Sequence, residues 1–587
     1  MAPPRLRACR DGTTQEATRP SNRLSQAWAT ATAVVREASH PQFYIPIRGL
    51  RWATPLPLGR IILLAAYWAV IVYMMSWRVS KNDVFYWERI GYRNAWITMM
   101  QLPMLYLLSM KVNPVGLLIG SSHERLNWLH RWVARTMLIT ATVHGFHFWT
   151  MWSRAGYLDY AFQITPLIKY GLGAWGILLW LTVSGILPLR RLAYELWVAQ
   201  HVVASIVMLW LMWKHIPANA RYLLWMSVSF LVADRAARWT ILAWQNSRIR
   251  PRRTGCQAQK RFGHRVIVKP AGPQTSLVTI KDVHFPWRAG QHVYLWLPRV
   301  GALEAHPYTI ASAHKPPTEA SGCYCNSVQL IVRAHGGFSK RLHDFATAKP
   351  DKADDLTGFL SGPYGEPPQW EAYETLVLIG ASTGASYTVP VLECLAHVSA
   401  SCVRRVDAVL IARSSEEIEY YIHRTREAAR LVRDRGIDVR IHIAITGGSS
   451  TNVGTVAQSD TRESNEASDS ADTIETIGKA GHQTDCSCCC QPRTVSDAIS
   501  IDEKPAIEET TAPPPPEETL YSSRPDIEAL IREPVENAWG ETAVVVCGGK
   551  EVVARTRNCV AALSDERAVH KGTGAQGIFL HVEEYAF

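Results

Sequence analysis

Two apolar runs each hold a pair of histidines with the same internal spacing: His130 and His144 in one, His201 and His215 in the other, fourteen residues apart in both. On a helix, fourteen residues return a side chain to within about 40° of its starting face and advance it by about 21 Å. Each helix thus offers one imidazole near either side of a bilayer. Two such helices, side by side and running the same way, would pair His130 with His201 and His144 with His215. Imidazole is a neutral axial ligand for iron, and ligation from both sides leaves the metal no open position, which suits electron transfer. The pattern predicts two b-type haems forming a conduit across a membrane, with these four histidines as the metal ligands. No C-x-x-C-H run occurs, so the haems are expected to be non-covalent. A lone intramembrane histidine more often bonds a neighbouring helix; the repeated spacing sets these four apart. His147, seventeen residues from His130, is turned about 100° away and reads as a packing or rim residue. His123 is expected before the helix, at the interface.

The first 240 positions fit that frame. Uncharged stretches at residues 61–77, 94–110, 136–153, 170–189 and 196–213 are each long enough to cross roughly 30 Å of hydrocarbon if slightly extended. A sixth, from 222 to about 236, is cut short by Asp234, Arg235 and Arg238, whose charges are expected in the headgroups. Many of the 22 Trp and 21 Tyr suit interfacial belts, although core packing would use them equally. The start of the chain is polar and basic with no signal-peptide core, so residues 1–59 read as a cytosolic, mostly disordered segment. Six spans across residues 60–245 then return the chain to the cytosol. Arg190–Arg191 and the basic run after Trp244 agree with that orientation; Arg78, Lys81, Arg89 and Arg93, in the first outer loop, run against it. A formal charge of +11 resembles a nucleic-acid signature, but much of it flanks the apolar block, so no nucleic-acid partner is expected. Arg131, Arg135, Arg190, Arg191 and Glu195 lie near the inner histidines. There guanidinium groups could meet haem propionates, with snorkelling to lipid headgroups as the alternative.

After Arg253 the pattern changes to alternating apolar and polar residues with Gly and Pro punctuation, which reads as a small antiparallel β-barrel over 254–368. Within it, His306-Pro307-Tyr308-Thr309-Ile310-Ala311-Ser312 resembles the flavin-binding segment of the ferric reductase and NADPH oxidase family, whose barrel is of the ferredoxin-reductase type. That resemblance implies FAD, with Tyr308 against the isoalloxazine, Thr309 hydrogen-bonding it, and His306, Pro307 and Ser312 supporting it. The wider ferredoxin-reductase group has Arg where His306 stands, so its phosphate contact must come from elsewhere. The run from Val328 to Leu342 resembles the family's second FAD segment, in which a strand leads into a helix start. Amides there, with Arg333, Ser339 and Lys340, could hold the pyrophosphate. Gly362-Pro363-Tyr364-Gly365 matches the family's turn before the nucleotide domain; alone it would be an ordinary β-turn.

That domain is expected at 369–446 and 520–587. A buried-strand pattern from Thr375 runs into Gly380-Ala381-Ser382-Thr383-Gly384 and an apolar helix from Tyr387, which would present backbone amides to a phosphate. Strands at 406–411, 439–445 and 543–547 continue an alternating α/β pattern, so a parallel sheet is expected. Arg413 closes one of them; by resemblance it meets the ribose phosphate of NADPH, and a plain surface arginine is the other reading. Cys547-Gly548-Gly549 resembles the family's Cys-Gly-Pro turn, with Gly in place of Pro, and makes Cys547 the candidate beside the nicotinamide. The C-terminal His581 to Phe587 matches the family's aromatic end, which would have Phe587 cover the flavin. Residues 447–519 lose hydrophobicity and gain Ser, Thr, Asp, Glu and Pro, and are expected to be a disordered insertion whose ends lie close together. Its Cys486, Cys488, Cys489 and Cys490 are too crowded for a usual zinc knuckle; copper(I) or iron sensing, palmitoylation and chance all stand as readings.

The expected architecture is multidomain: an all-α transmembrane bundle with six spans and two haems, a ferredoxin-reductase-type antiparallel β-barrel for FAD, and an α/β domain for NADPH. By resemblance to the fungal members of the family, it implies a ferric-chelate reductase that passes electrons to extracytoplasmic Fe(III) chelates or Cu(II) and supports iron uptake beside a ferroxidase/permease system. The plasma membrane is expected, with the vacuolar membrane as the alternative. Two other readings remain at this point: an oxidase making superoxide, and a haem-containing sensor signalling through the cysteine-rich insertion.

Overall fold

The computed structural model describes residues 23–47, 50, 53–79, 82–186, 189–190, 194–247, 262–302, 304–315, 326–398, 400–447, 518–538, 540–565 and 577–584. Nearly all of the expected insertion with its four cysteines, Arg191 and Phe587 lie outside these residues.

The first domain is helical. Helices α1 (Arg23–Ser39), α2 (Leu58–Ser76), α3 (Tyr86–Ser109), α4 (His123–Arg154), α5 (Pro166–Ser184), α6 (Tyr194–His215) and α7 (Arg221–Asn246) follow one another, with short helical turns at Pro114–Ile119 and Leu158–Ile164 between them. Of these, α2, α5 and α6 are long and apolar enough to cross a membrane. Helices α3, α4 and α7 are longer, at 24, 32 and 26 residues, but carry charge. Helix α4 starts at His123, well before its uncharged run, so His123 is its first residue and bonds Glu124 at 2.8 Å. The bundle is tied by buried polar contacts between helices: Tyr67 Oη donates to Gln101 Oε1 (2.6 Å), Thr98 Oγ1 to Thr140 Oγ1 (2.8 Å), and Tyr106 meets Ser205 (2.8 Å). Such pairs hold helices together where apolar contact cannot distinguish a neighbour from lipid.

Two expectations for this domain change. Asp234 does not cut the sixth helix short. It is buried and accepts the backbone N–H groups of Lys111 (2.8 Å) and Val112 (3.0 Å), and α7 continues ten residues past the expected end. The N-terminal segment, expected to be mostly disordered, contains α1, which packs on the last of the described helices, Lys550–Asp565.

The second domain is an antiparallel sheet, β1 (His264–Gly272), β2 (Thr275–Val283), β3 (His292–Trp296), β4 (Ala305–Thr309), β5 (Asn326–Arg333) and β6 (Leu356–Tyr364), in the order β4-β3-β6-β1-β2-β5. Burial alternates along β6, as a sheet with one face on a core requires. Ala311 N donates to Gln329 O at 2.7 Å, linking the end of β4 to the other edge strand. Helix α8 (Gly337–Ala348) plugs this core with Phe338 and Leu342. Helix α7 docks the domain on the bundle: Asn246 donates to Leu360 O (2.6 Å) and accepts from Leu360 N (2.9 Å), so its amide mimics another strand.

The third domain is a six-stranded, wholly parallel sheet in the order β10-β9-β8-β7-β11-β12. Its strands are β7 (Thr375–Ala381), β8 (Arg405–Ala412), β9 (Asp438–Ile445), β10 (Glu518–Tyr521), β11 (Thr542–Gly548) and β12 (Ile578–Glu584). Helices α9 (Ala385–Leu395), α10 (Glu419–Arg433), α11 (Ile527–Asn537) and α12 (Lys550–Asp565) flank it. Strands β7 and β11 are buried along their whole length, which explains their unbroken apolar sequence. β10 was not anticipated; it pairs with β9 from Glu518↔Ile441 onward, so the insertion joins neighbouring strands.

Candidate functional site

Chain order places the topological switch of the parallel sheet between β7 and β11, because β7 leads on to β8 at one side and β10 leads back to β11 at the other. Crevices beyond the carboxyl ends of strands at such a point receive ligands. Here the two loops come very close: a Cβ built on Gly384 would lie 2.2 Å from Cys547 O. Gly380 is equally constrained, since its Cβ would meet Thr388 Oγ1 at 2.6 Å, where α9 packs on the sheet. These glycines let backbone approach backbone.

A cleft of about 1250 Å³ opens from this switch point. It is walled by all three domains: Thr383, Gly384 and Cys547 from the parallel sheet, His306 to Thr309 and Arg333 from the antiparallel sheet, and residues at the ends of α4 and α6 from the bundle. Of the residues singled out in the sequence, it gathers His306, Pro307, Tyr308, Thr309, Arg333, Ser339, Gly365, Thr383, Gly384 and Cys547. Lys340, Gly362, Gly380, Arg413 and Gly548 do not line it. Lys340 and Arg413 are exposed, the latter at the end of β8. Gly362 turns the chain with φ +143°, and Gly548 lies against Ala381. Ser312 is buried and structural, its Oγ accepting from Gln329 N at 3.1 Å. Ser382, at φ +51°, accepts from Arg333 Nη1 at 3.0 Å, while Arg333 also pairs with Glu417 at 3.1 Å. Arg333 therefore bridges the two soluble domains as well as facing the cleft.

Burial sets the chemistry of the walls. The Cys547 thiol is pushed well above its ordinary pKa by burial, with the Glu583 charge adding to it, so it stands as a neutral thiol rather than a thiolate. Burial raises the Tyr308 hydroxyl in the same way. His306 lies flat on Phe338, ring centroids 4.7 Å apart, and its Nε2 is 3.4 Å from Glu304. No sequence pattern announces a cluster at the back of the cleft. Tyr387 Oη lies 2.6 Å from His581 Nε2, and Arg125, from the start of α4, reaches His581 Nε2 (3.0 Å), Val582 O (2.7 Å) and Glu583 (3.1 Å). Burial opposes ionisation of Glu583, but its hydrogen bond to His581 and the Arg125 charge outweigh this and hold the carboxyl below its usual range. Burial lowers His581, which favours the neutral ring. A second contact joins bundle and sheet, with His292 Nε2 3.0 Å from Glu124.

The four histidines of the bundle share one arrangement at three positions. His130 Nδ1 lies 2.9 Å from Leu105 O, His144 Nδ1 2.9 Å from Gly91 O, and His215 Nδ1 2.9 Å from Leu167 O. A backbone carbonyl can only accept, so each Nδ1 carries the proton and each Nε2 keeps its lone pair for a metal. The rings of His144 and His215 have centroids 6.2 Å apart. A Cβ on Gly171 would fall 2.4 Å from His215 Cε1, so that ring is seated where only glycine leaves space. Among the described residues His201 has no such bond; its Nδ1 is buried without a hydrogen-bond partner there, and its ring lies 5.0 Å from that of Trp197. Helices α4 and α6 pack on α5 but hardly on each other. His147 turns to its own helix, bonding Val143 O at 2.8 Å. Arg131 lies within electrostatic range of Arg60, Arg135 and Arg190, so basic groups do gather at the inner end of the bundle.

Three family models match the chain in succession: the ferric reductase like transmembrane component at residues 94–212, an FAD-binding domain at 272–368, and the ferric reductase NAD binding domain at 373–561. A probable cell surface ferric reductase kap2 of Aspergillus oryzae is 29% identical over 61% of this chain and 48% of its own length. Ferric/cupric reductase transmembrane component 2 of Schizosaccharomyces pombe is 24% identical, over 64% of this chain and 69% of its own length. Ferric reductase transmembrane component 4 of Saccharomyces cerevisiae is 22% identical, over 88% and 66%. The chain thus spans from about half to two thirds of the length of these relatives. Bundle, antiparallel sheet and parallel sheet follow in the order of those three matches, and the chain belongs to the ferric reductase family.

Proposed function

We propose that the chain carries electrons from cytosolic NADPH through FAD and two b-type haems to Fe(III) chelates, or Cu(II), on the opposite face of a membrane. The observation that carries this reading is the single cleft in which the switch-point loops, the His306 to Thr309 segment and the ends of the two histidine helices meet. The relatives named as ferric and cupric reductases support the choice of acceptor.

The residues present fit the groups this reading needs. For haem, the donor set is four imidazoles, three of them with Nδ1 tied to a carbonyl and Nε2 left for iron. The rings of His144 and His215, with centroids 6.2 Å apart, would be the two that hold one haem iron. For FAD and NADPH, the cleft offers two helix starts, at Gly337 and Ala385, behind glycine-rich turns. When bound, FAD accepts one hydride, that is two electrons together, and releases electrons singly, and haem iron passes them on one at a time.

The chain's own work is alignment. His306, Pro307, Tyr308 and Thr309 hold the flavin, Arg333 with Ser339 and the α8 amides holds its phosphates, and Thr383, Gly384 and Cys547 seat the nicotinamide nucleotide. Cys547 contributes a neutral, buried wall that excludes water. His130 with His201 forms the inner haem site and His144 with His215 the outer one. We read α2 to α7 as six spans and the antiparallel sheet as a barrel closed near Ala311 and Gln329. The preference for NADPH over NADH, the plasma membrane as location, the contacts of Lys340, Arg413 and Phe587, and an iron-uptake partner belong to the same proposal.

Membranes containing the expressed chain test it. NADPH should produce chelator-trapped Fe(II) that superoxide dismutase does not suppress. Superoxide formation without ferric reduction would overturn the assignment in favour of an oxidase.

A further inference from the structure

Helix α1 is built the wrong way round for a helix in water. Its inward contacts use small and polar groups: Ala33 is buried, Arg36 Nη1 donates to Ile578 O at 3.2 Å, and Glu37 is half-buried. Just after it, Gln42 N donates to Asn558 Oδ1 (2.8 Å) and Asn558 Nδ2 to Gln42 O (3.1 Å), fixing the segment to α12 of the nucleotide domain. The outward face is apolar. At 100° per residue, Leu24, Trp28, Ala31 and Val35 fall within an arc of about 60°. Leu24, Trp28 and Val35 are 83%, 71% and 64% exposed, and Phe43 and Ile47 prolong the exposed apolar surface beyond the helix.

The position of that surface says what covers it. Leu58 N bonds Pro41 O at 2.9 Å, and a Cβ on Gly59 would meet Ser39 Cβ at 2.5 Å, so the end of α1 touches the first turn of the apolar helix α2. Ile61, Ile62 and Leu63, one turn further on, are exposed in the same way. The stripe on α1 is thus continuous with the lipid-facing surface of the bundle. A helix with one apolar face that includes Trp, lying where a span enters the membrane, has the character of an interfacial element.

We propose that α1 lies in the bilayer leaflet on the side of the nucleotide domain, with Leu24, Trp28 and Val35 at the boundary of headgroups and acyl chains. Its other face grips α12, so the helix straps the nucleotide domain to the membrane surface. This goes beyond the electron path and holds whatever the acceptor is.

The full chain, reconstituted in phosphatidylcholine vesicles with a polarity-sensitive fluorescent amino acid at position 28 or 35, tests the assignment. Both probes should emit to the blue of their position in water and lose intensity when a nitroxide-bearing lipid is added. A probe at position 37, on the inward side, should lose none. With the probe at 28, the double substitution Leu24→Glu and Val35→Glu should abolish both effects while the elution volume of the solubilised chain stays unchanged. Water-like emission at 28 and 35, or a blue shift that lipid nitroxide does not quench and that vanishes on dilution to one chain per vesicle, would overturn it; the latter would mark a contact between two copies.

Discussion

The two ends of the bundle differ in how their histidines are held. At the outer end both rings are fixed twice, by an Nδ1 bond to a carbonyl from a neighbouring helix or its start and by close packing: His144 on Gly91 O with Phe148 beside it, His215 on Leu167 O with Gly171 beneath. At the inner end, among the described residues, only His130 has a carbonyl partner, while the His201 ring lies beside Trp197 with its Nδ1 unpartnered. A hydrogen bond from Nδ1 raises the basicity of Nε2 and favours ferric iron, so under the proposed assignment the two sites would differ in how their ligands are tuned. The looser ring belongs to the end that faces the cleft, where Arg125, Arg190 and Glu195 also converge.

This contrast can be broken most forcefully at the outer pair. His144→Ala removes one ligand and should lower Fe(III)-chelate reduction by about 100-fold or more, as loss of a directly coordinating group exceeds the 10–100-fold cost typical of outer-shell changes. Haem content, read from the pyridine haemochrome, should fall from two to one per chain. Gly171→Val acts on the same site without replacing a ligand. Its Cβ would enter the His215 ring, so the outer haem should be lost first, with affinity weakened about 10–100-fold and the inner haem retained.

Trp197→Leu sharpens the comparison from the other side. Without the neighbouring indole, the His201 ring should reorient, shifting the midpoint potential of one haem and leaving the other in place, with activity lowered about 10-fold at most. The smallest effect is expected at His147, whose Nδ1 bonds its own helix and whose ring rests on Trp87. His147→Ala should leave both haems and their potentials as they are, with a cost to stability of about 1 kcal/mol or less.

What the sequence disclosed about this site was its periodic part. Fourteen-residue spacing identifies which imidazoles share a helix face, and unbroken apolar runs such as 376–379 and 543–546 identify the buried parallel strands. Partners that are backbone atoms leave no such mark. The acceptors for His130, His144 and His215 are carbonyls of Leu105, Gly91 and Leu167, which any residue could supply. Contacts across the whole chain are equally silent: Arg125 and His581 stand 456 positions apart and meet only because bundle and nucleotide domain dock. Charge misled where it was internally satisfied. Asp234 looked like a helix end at the headgroups, yet two backbone N–H groups let it lie buried within α7. The short strand β10 carries only four residues after a polar segment, too few for a period to emerge.

A pair of haems between α4 and α6 can be seen outright in a reduced-minus-oxidised spectrum of the purified chain, taken together with its haem stoichiometry. The expected result is a b-type spectrum with two haems per chain, falling to one in His144→Ala. A chain supplied with haem that shows no Soret band, or a His144→Ala variant that still binds two, would contradict it.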